Sequence, residues 1–220
     1  VILGDREANI SESVTKQDFC AEFRMHGLKD KEHTYWTAEP VNNVLLIGLD
    51  TSLTGNISGN IEKEQLSWLD KTLNANKNKF TVIVMHHPPI TFSNADLKEK
   101  WKIFLLDNSE DFLSVINKYP QVKLIINGHH HLNGIKNIGG KYFVSSPSII
   151  TFPNEYKVFE IYPEKVIISN KQINFKQIVN KARNLLINSD YAKGFSEKSP
   201  KKVIEIQKGG DSDRNTTLYF

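Results

Sequence analysis

Val122-Lys123-Leu124-Ile125-Ile126-Asn127-Gly128-His129-His130-His131 is an apolar run that ends in a histidine cluster. A second segment of the same build lies upstream, where Val82-Ile83-Val84-Met85 runs into His86-His87. Five of the chain's seven histidines therefore follow two candidate buried strands. Each cluster is followed by a turn signal, Pro88-Pro89 in one case and Asn133-Gly134 in the other. In open α/β sheets, ligands bind in the crevice outside the carboxyl ends of the strands. Neutral imidazole is a common metal ligand, so histidines from two strand ends can meet around one ion. The competing reading of a single pair is a solvated loop, and the repetition of one arrangement argues against it.

Working outward, residues 44–49 form a third continuous apolar run, ending at Asp50. Such runs are the mark of strands covered on both faces. Residues 62–73 carry Leu66, Leu69 and Leu73 at helical spacing, with Gln65, Asp70 and Lys71 expected elsewhere. Two further helices are predicted at residues 96–106 and 109–118, the second with acidic Glu110 and Asp111 in its first turn and Pro120 beyond its end. Strand and helix alternate, which calls for parallel pairing with right-handed crossovers. After His131 the pattern changes to short strands at 135–138, 142–146, 156–161 and 166–168, joined by tight turns. An amphipathic helix is predicted at 175–188, then a short strand at 203–206 and a polar end. Residues 5–40 read as a long connection with a helix near 16–23, and Val1-Ile2-Leu3 as a buried strand with chain missing upstream.

The 220 residues, 39% hydrophobic, suffice for one good-sized core. A net charge of +3 spread over scattered lysines implies no nucleic-acid surface. Cys20 is the sole cysteine, which excludes an internal disulfide framework and fits a reducing, cytoplasmic compartment. No apolar run approaches the roughly 18 residues of a membrane span.

These blocks resemble the calcineurin-like metallophosphoesterases, in particular the class III cyclic-nucleotide phosphodiesterase and purple acid phosphatase-like branch. Gly4-Asp5-Arg6-Glu7 stands where that family has Gly-Asn-His-Asp/Glu. Leu49-Asp50-Thr51, Glu64-Gln65-Leu66-Ser67-Trp68-Leu69, Met85-His86-His87-Pro88-Pro89, Gly128-His129-His130-His131 and Ser146-Pro147-Ser148 follow in the family's order. The resemblance covers residues 1–168. It implies a four-layer α/β/β/α sandwich, N-terminally truncated, with a metallophosphoesterase domain at residues 1–170 and an extension at 171–220. It also implies two divalent ions, Mn, Fe or Zn, and a small phosphoester substrate. His86 and His129 would ligate one ion and His131 the other, with His130 non-ligating and Asp5 a further ligand. A phosphodiester repels hydroxide through its own charge. Two ions about 3.5–4 Å apart offset that charge and supply a hydroxide near neutral pH.

Two departures stand against the matches. The family's Asp-x-His and Gly-Asp-x-x-Asp blocks are absent, so a second copy or partner chain is one possible source of the remaining ligands. Asp5 and Arg6 replace asparagine and histidine. Arg6 can clamp a phosphate bidentately, but its pKa is too high for a general acid; alternatively the two residues form a surface ion pair. The rival to a hydrolase is therefore a degenerate, non-catalytic member that binds a metal or a partner protein.

Overall fold

The computed structural model describes residues 1–5, 7, 15–26, 28, 33–97, 99–195, 199 and 201–220. Two compact units divide them: Val1–His129 with Asn137–Phe143, and His130–Lys136 with Val144–Phe220.

In the first unit, helix α1 (Lys16–Glu22) opens on Thr15, whose hydroxyl accepts from the Asp18 amide while the Asp18 carboxylate accepts from the Thr15 amide. Edge strand β1 (Trp36–Val41) then turns back at Asn43, φ +64°, into β2 (Val44–Gly48), antiparallel to it. β1 falls mostly within residues 5–40, expected to be a long connection because they show no sustained period; its Pro40 is tolerated at a sheet edge. Helix α2 (Lys63–Ala75) leads into β3 (Phe80–Val84), which pairs with β2 in parallel. A short 3-10 turn at Asn94–Leu97 and helix α3 (Glu99–Lys102) take the place of the single helix predicted at 96–106. Helix α4 (Ser109–Ile116) returns the chain to β4 (Val122–Asn127), parallel to β3. In this unit the strand order is β1-β2-β3-β4; β5 (Gly134–Ile138) and β6 (Lys141–Ser145) follow in the chain.

The core of this unit joins Leu45, Ile47, Leu49, Ile83, Met85 and Ile125 of the sheet to Leu69 and Leu73 of α2 and Phe112 and Ile116 of α4. Those helix residues repeat every four positions, so one stripe of each faces the strands. Burying each such side chain contributes roughly 1.5–3 kcal/mol.

Gln65 corrects the expected face assignment. It is buried on the same stripe, its Oε1 accepting from the Asp50 amide at 2.9 Å and its Nε2 donating to the Asp50 carbonyl at 2.7 Å. A carboxamide here replaces the next strand's peptide and satisfies the chain just past the end of β2. The opening residues Val1–Gly4 form no strand; Leu3 is buried in a separate cluster with Phe19, Cys20 and Leu28.

The second unit holds an antiparallel sheet β7-β8-β9, from β7 (Glu155–Ile161), β8 (Lys165–Gln172) and β9 (Thr216–Tyr219). Helices α5 (Lys176–Ile187), α6 (Asp190–Phe195), α7 (Lys202–Lys208) and α8 (Asp211–Arg214) lie between β8 and β9 in the chain. The strand predicted at 203–206 is thus the helix α7, which buries Val203 and Gln207 four residues apart. Val203-Ile204-Glu205-Ile206 is too short to distinguish the two periods, and burial decides it. The presumed polar end contains β9, which pairs with β8 through Leu218 opposite Val166.

Candidate metal centre

Parallel pairing brings the two histidine blocks together. The Met85 amide bonds to the Ile126 carbonyl at 2.9 Å and the Gly128 amide to the His86 carbonyl at 3.0 Å, so the carboxyl ends of β3 and β4 lie side by side. His86 Nε2 is then 2.9 Å from His129 Nδ1. Asp5 Oδ1 completes a triangle, 2.9 Å from His86 Nε2 and 3.4 Å from His129 Nδ1. Ligand atoms about 2.1 Å from one ion, at angles of about 90–110°, lie about 3.0–3.4 Å apart. The Asp5, His86 and His129 atoms match that spacing, and a carboxylate with two imidazoles is a donor set suited to Mn, Fe or Zn.

Local backbone serves this arrangement. His129 and His131 both have positive φ, +63° and +55°. Such conformations cost non-glycine residues roughly 1 kcal/mol or more and persist where surrounding structure enforces them, often at functional sites. Gly4 lets the chain pass close to His86: a Cβ there would lie 3.1 Å from His86 Cε1 and 2.6 Å from Glu7 Oε2.

Asp5 is buried. Desolvation pushes its carboxyl pKa up, but hydrogen bonds and charge from His129 and His86 outweigh this and hold it well below the usual carboxylate range. It is therefore a fixed anion facing the two imidazoles. Arg6, the other residue predicted in this block, lies outside the described residues.

His131 belongs to the second unit, where its Nδ1 lies 3.0 Å from Thr151 Oγ1. Thr151 sits in a loop braced by bonds from the Asn154 amide to its carbonyl (2.6 Å) and from the Glu155 amide to the Ser148 carbonyl (3.1 Å). His130 is buried.

His87, absent from the predicted ligand set, is fully buried, and its ligand nitrogen comes within 4.8 Å of those of His86 and His129. Burial first, then the neighbouring His129 and His86, drives its pKa down to about 3, so the ring is neutral. The second position of His86-His87 gave no signal of its own, since pairs of this kind are equally at home in solvated loops. Asp50 is held by Lys16 Nζ at 2.6 Å and by the Thr34 hydroxyl. Cys20 is buried, with its Sγ 3.6 Å from the His33 carbonyl.

No protein-family model matches the chain. Curated proteins do. A 3′,5′-cyclic-nucleotide phosphodiesterase of Nostoc sp. is 32% identical over 117 residues, 53% of this chain and 42% of that protein. A 3′,5′-cyclic adenosine monophosphate phosphodiesterase of Vibrio vulnificus is 34% identical over 86 residues, 39% of this chain and 30% of that one. A glycerophosphodiester phosphodiesterase of Enterobacter lignolyticus is 29% identical over 86 residues, again 39% and 30%. The chain thus spans less than half the length of these relatives. Among solved structures, a dimetal phosphatase from Danio rerio superposes with a TM-score of 0.56 at 16% identity, covering 70% of this chain and 65% of that one.

Proposed function

We propose, from the premise that this chain has the fold of the calcineurin-like metallophosphoesterases, that it contributes to the metal-dependent hydrolysis of phosphoesters. The observation that carries the reading is the convergence of Asp5, His86 and His129 within 2.9–3.4 Å of one another at the carboxyl ends of two parallel strands. The similarity to curated phosphodiesterases supports a phosphodiester as the substrate class.

In this reading Asp5 and the two imidazoles hold one ion, and His131, braced by Thr151, belongs to the site of a second. Divalent ions bound there supply charge neutralisation of the phosphoester and a lowered pKa for an attacking water. Asp5 contributes a negative charge where the family has a neutral amide, which strengthens cation binding and lowers the net positive charge offered to the phosphate. Arg6 is assigned the role of phosphate clamp. It holds its proton at neutral pH, so protonation of the leaving oxygen falls to another group. Residues 1–170 are assigned to the hydrolase domain and 171–220 to an extension of it.

The test is hydrolysis of bis(p-nitrophenyl) phosphate with added Mn²⁺, in the wild type and in His86→Ala and His129→Ala variants. Metal-dependent turnover that falls at least a hundredfold in both variants is the expected result. Equal turnover in wild type and variants would exclude the site. The replacements at Asp5 and Arg6 favour a second reading, a non-catalytic metal-binding member of the family. Stoichiometric Mn²⁺ binding with no turnover would establish that one.

A further inference from the structure

We infer that His87 is a positioning residue and not a metal ligand: a fixed Nε2-protonated imidazole wedged against His129 and His86 that sets the orientation of both rings. The inference rests on the metal-centre reading above and concerns a residue which proximity alone would admit to the coordination set.

Hydrogen-bond logic assigns the tautomer. His87 Nε2 lies 3.2 Å from the Ile57 carbonyl, which can only accept, so Nε2 carries the proton. Nδ1 is then the lone-pair nitrogen, and it accepts from the Thr51 hydroxyl at 2.7 Å. The same Thr51 oxygen accepts from the His87 backbone amide at 3.2 Å. Every nitrogen of the residue is thereby committed within the protein. Ligation would require either the loss of the Thr51 bond or deprotonation of Nε2 and the loss of the Ile57 bond, each leaving a buried polar group without its partner at a cost of roughly 1–3 kcal/mol.

Packing assigns the role. The His87 ring centroid is 4.5 Å from that of His129 and 4.9 Å from that of His86, the latter contact edge-on at 87°. Gly59 also lies against it, where a Cβ would fall 2.3 Å from His87 Cγ. Gly59 is itself held in place, its carbonyl accepting from the Asp107 amide at 2.7 Å. The imidazole thus fills a slot closed by the Gly59 backbone and by the two candidate ligand rings. Partners that orient metal-ligating histidines typically change metal affinity 10–100-fold when altered.

The experiment combines histidine-selective ¹H–¹⁵N spectra with Mn²⁺ and Zn²⁺ titrations by calorimetry, on wild type and on Thr51→Val, Thr51→Ser, Gly59→Ala and His87→Phe chains. Wild-type His87 is expected to give the neutral Nε2–H pattern before and after Zn²⁺ addition. His87→Phe and Thr51→Val should keep the wild-type stoichiometry with affinity lowered about tenfold, and Thr51→Ser should restore it. A His87 resonance that moves to a metal-coordinated position on Zn²⁺ addition would overturn the inference in favour of ligation. Unchanged affinity in His87→Phe and Thr51→Val would overturn the positioning role. If the wild type bound no ion, the metal-centre reading itself would fail. The inference would still be decided in metal-free protein, where Thr51→Val must shift the His129 and His86 resonances and Thr51→Ser must not.

Discussion

His87 links this site to the stability of the chain. Its pKa of about 3 lies below the roughly 6.5 of a free imidazole. Between those values the unfolded chain binds a proton that the folded chain refuses. Stability contributed by the neutral ring is therefore complete above about pH 6.5 and is lost as the pH falls through the window. The depressed Asp5 carboxyl acts in the same direction at still lower pH, because its stabilisation is present above the unfolded value and lost below it. Urea unfolding of wild type from pH 7 to 4 should show a steep decline in stability, and His87→Phe should show a shallower one. Parallel curves for the two would mean that His87 titrates normally in the fold.

At the scale of elements, the C-terminal segment is fastened by one buried carboxylate. Glu155, at the start of β7 and 1% exposed, accepts from Arg214 Nη2 at 2.5 Å, from Asn170 Nδ2 at 2.7 Å and from Asn133 Nδ2 at 3.1 Å. Lys157 Nζ adds bonds to Asn170 Oδ1 at 2.8 Å and to the Asp213 carbonyl at 2.6 Å. The network ties α8 to two strands and so presents β9 to β8. Removing one partner of a buried ion pair strands the other, at a cost of about 3–5 kcal/mol. Arg214→Ala should therefore lower stability by about 3 kcal/mol. It should also speed hydrogen exchange at residues 216–219 more than in β3 or β4. Uniform exchange changes across both sheets would show that β9 is held by its ladder alone.

For the whole chain, an ion held at the proposed centre would link metal binding to folding. An ion that binds only the folded state at a hundredfold excess over its dissociation constant adds about 2.7 kcal/mol of stability. Mn²⁺ or Zn²⁺ should raise the midpoint of thermal unfolding of the wild type in a concentration-dependent way, and His86→Ala should abolish the shift. A midpoint that rises equally in both proteins would place the ion elsewhere. Among the described residues, no helix is long and apolar enough to cross a membrane.

The sequence by itself determined the parallel centre of the fold and the meeting of the two histidine blocks at one end of it. Val44–Gly48, Phe80–Val84 and Val122–Asn127 are dominated by apolar residues, interrupted only by Thr81, Lys123 and the terminal Asn127, and a strand covered on both faces rewards such a run. Histidines directly after two of these strands had to emerge at one edge once the strands paired in parallel. Tertiary structure alone decided what depends on unlike segments meeting. Gln65 looks like a solvated helix residue until its carboxamide meets Asp50. The run around Val203 becomes a helix because its buried positions fall four apart. Asp5 reaches His86 across 81 positions of chain, and His87 is fixed by Thr51 and Ile57 and admitted by the missing side chain of Gly59. Hydrogen bonds and steric fit act over a few ångströms between atoms distant in sequence, so no local pattern records them.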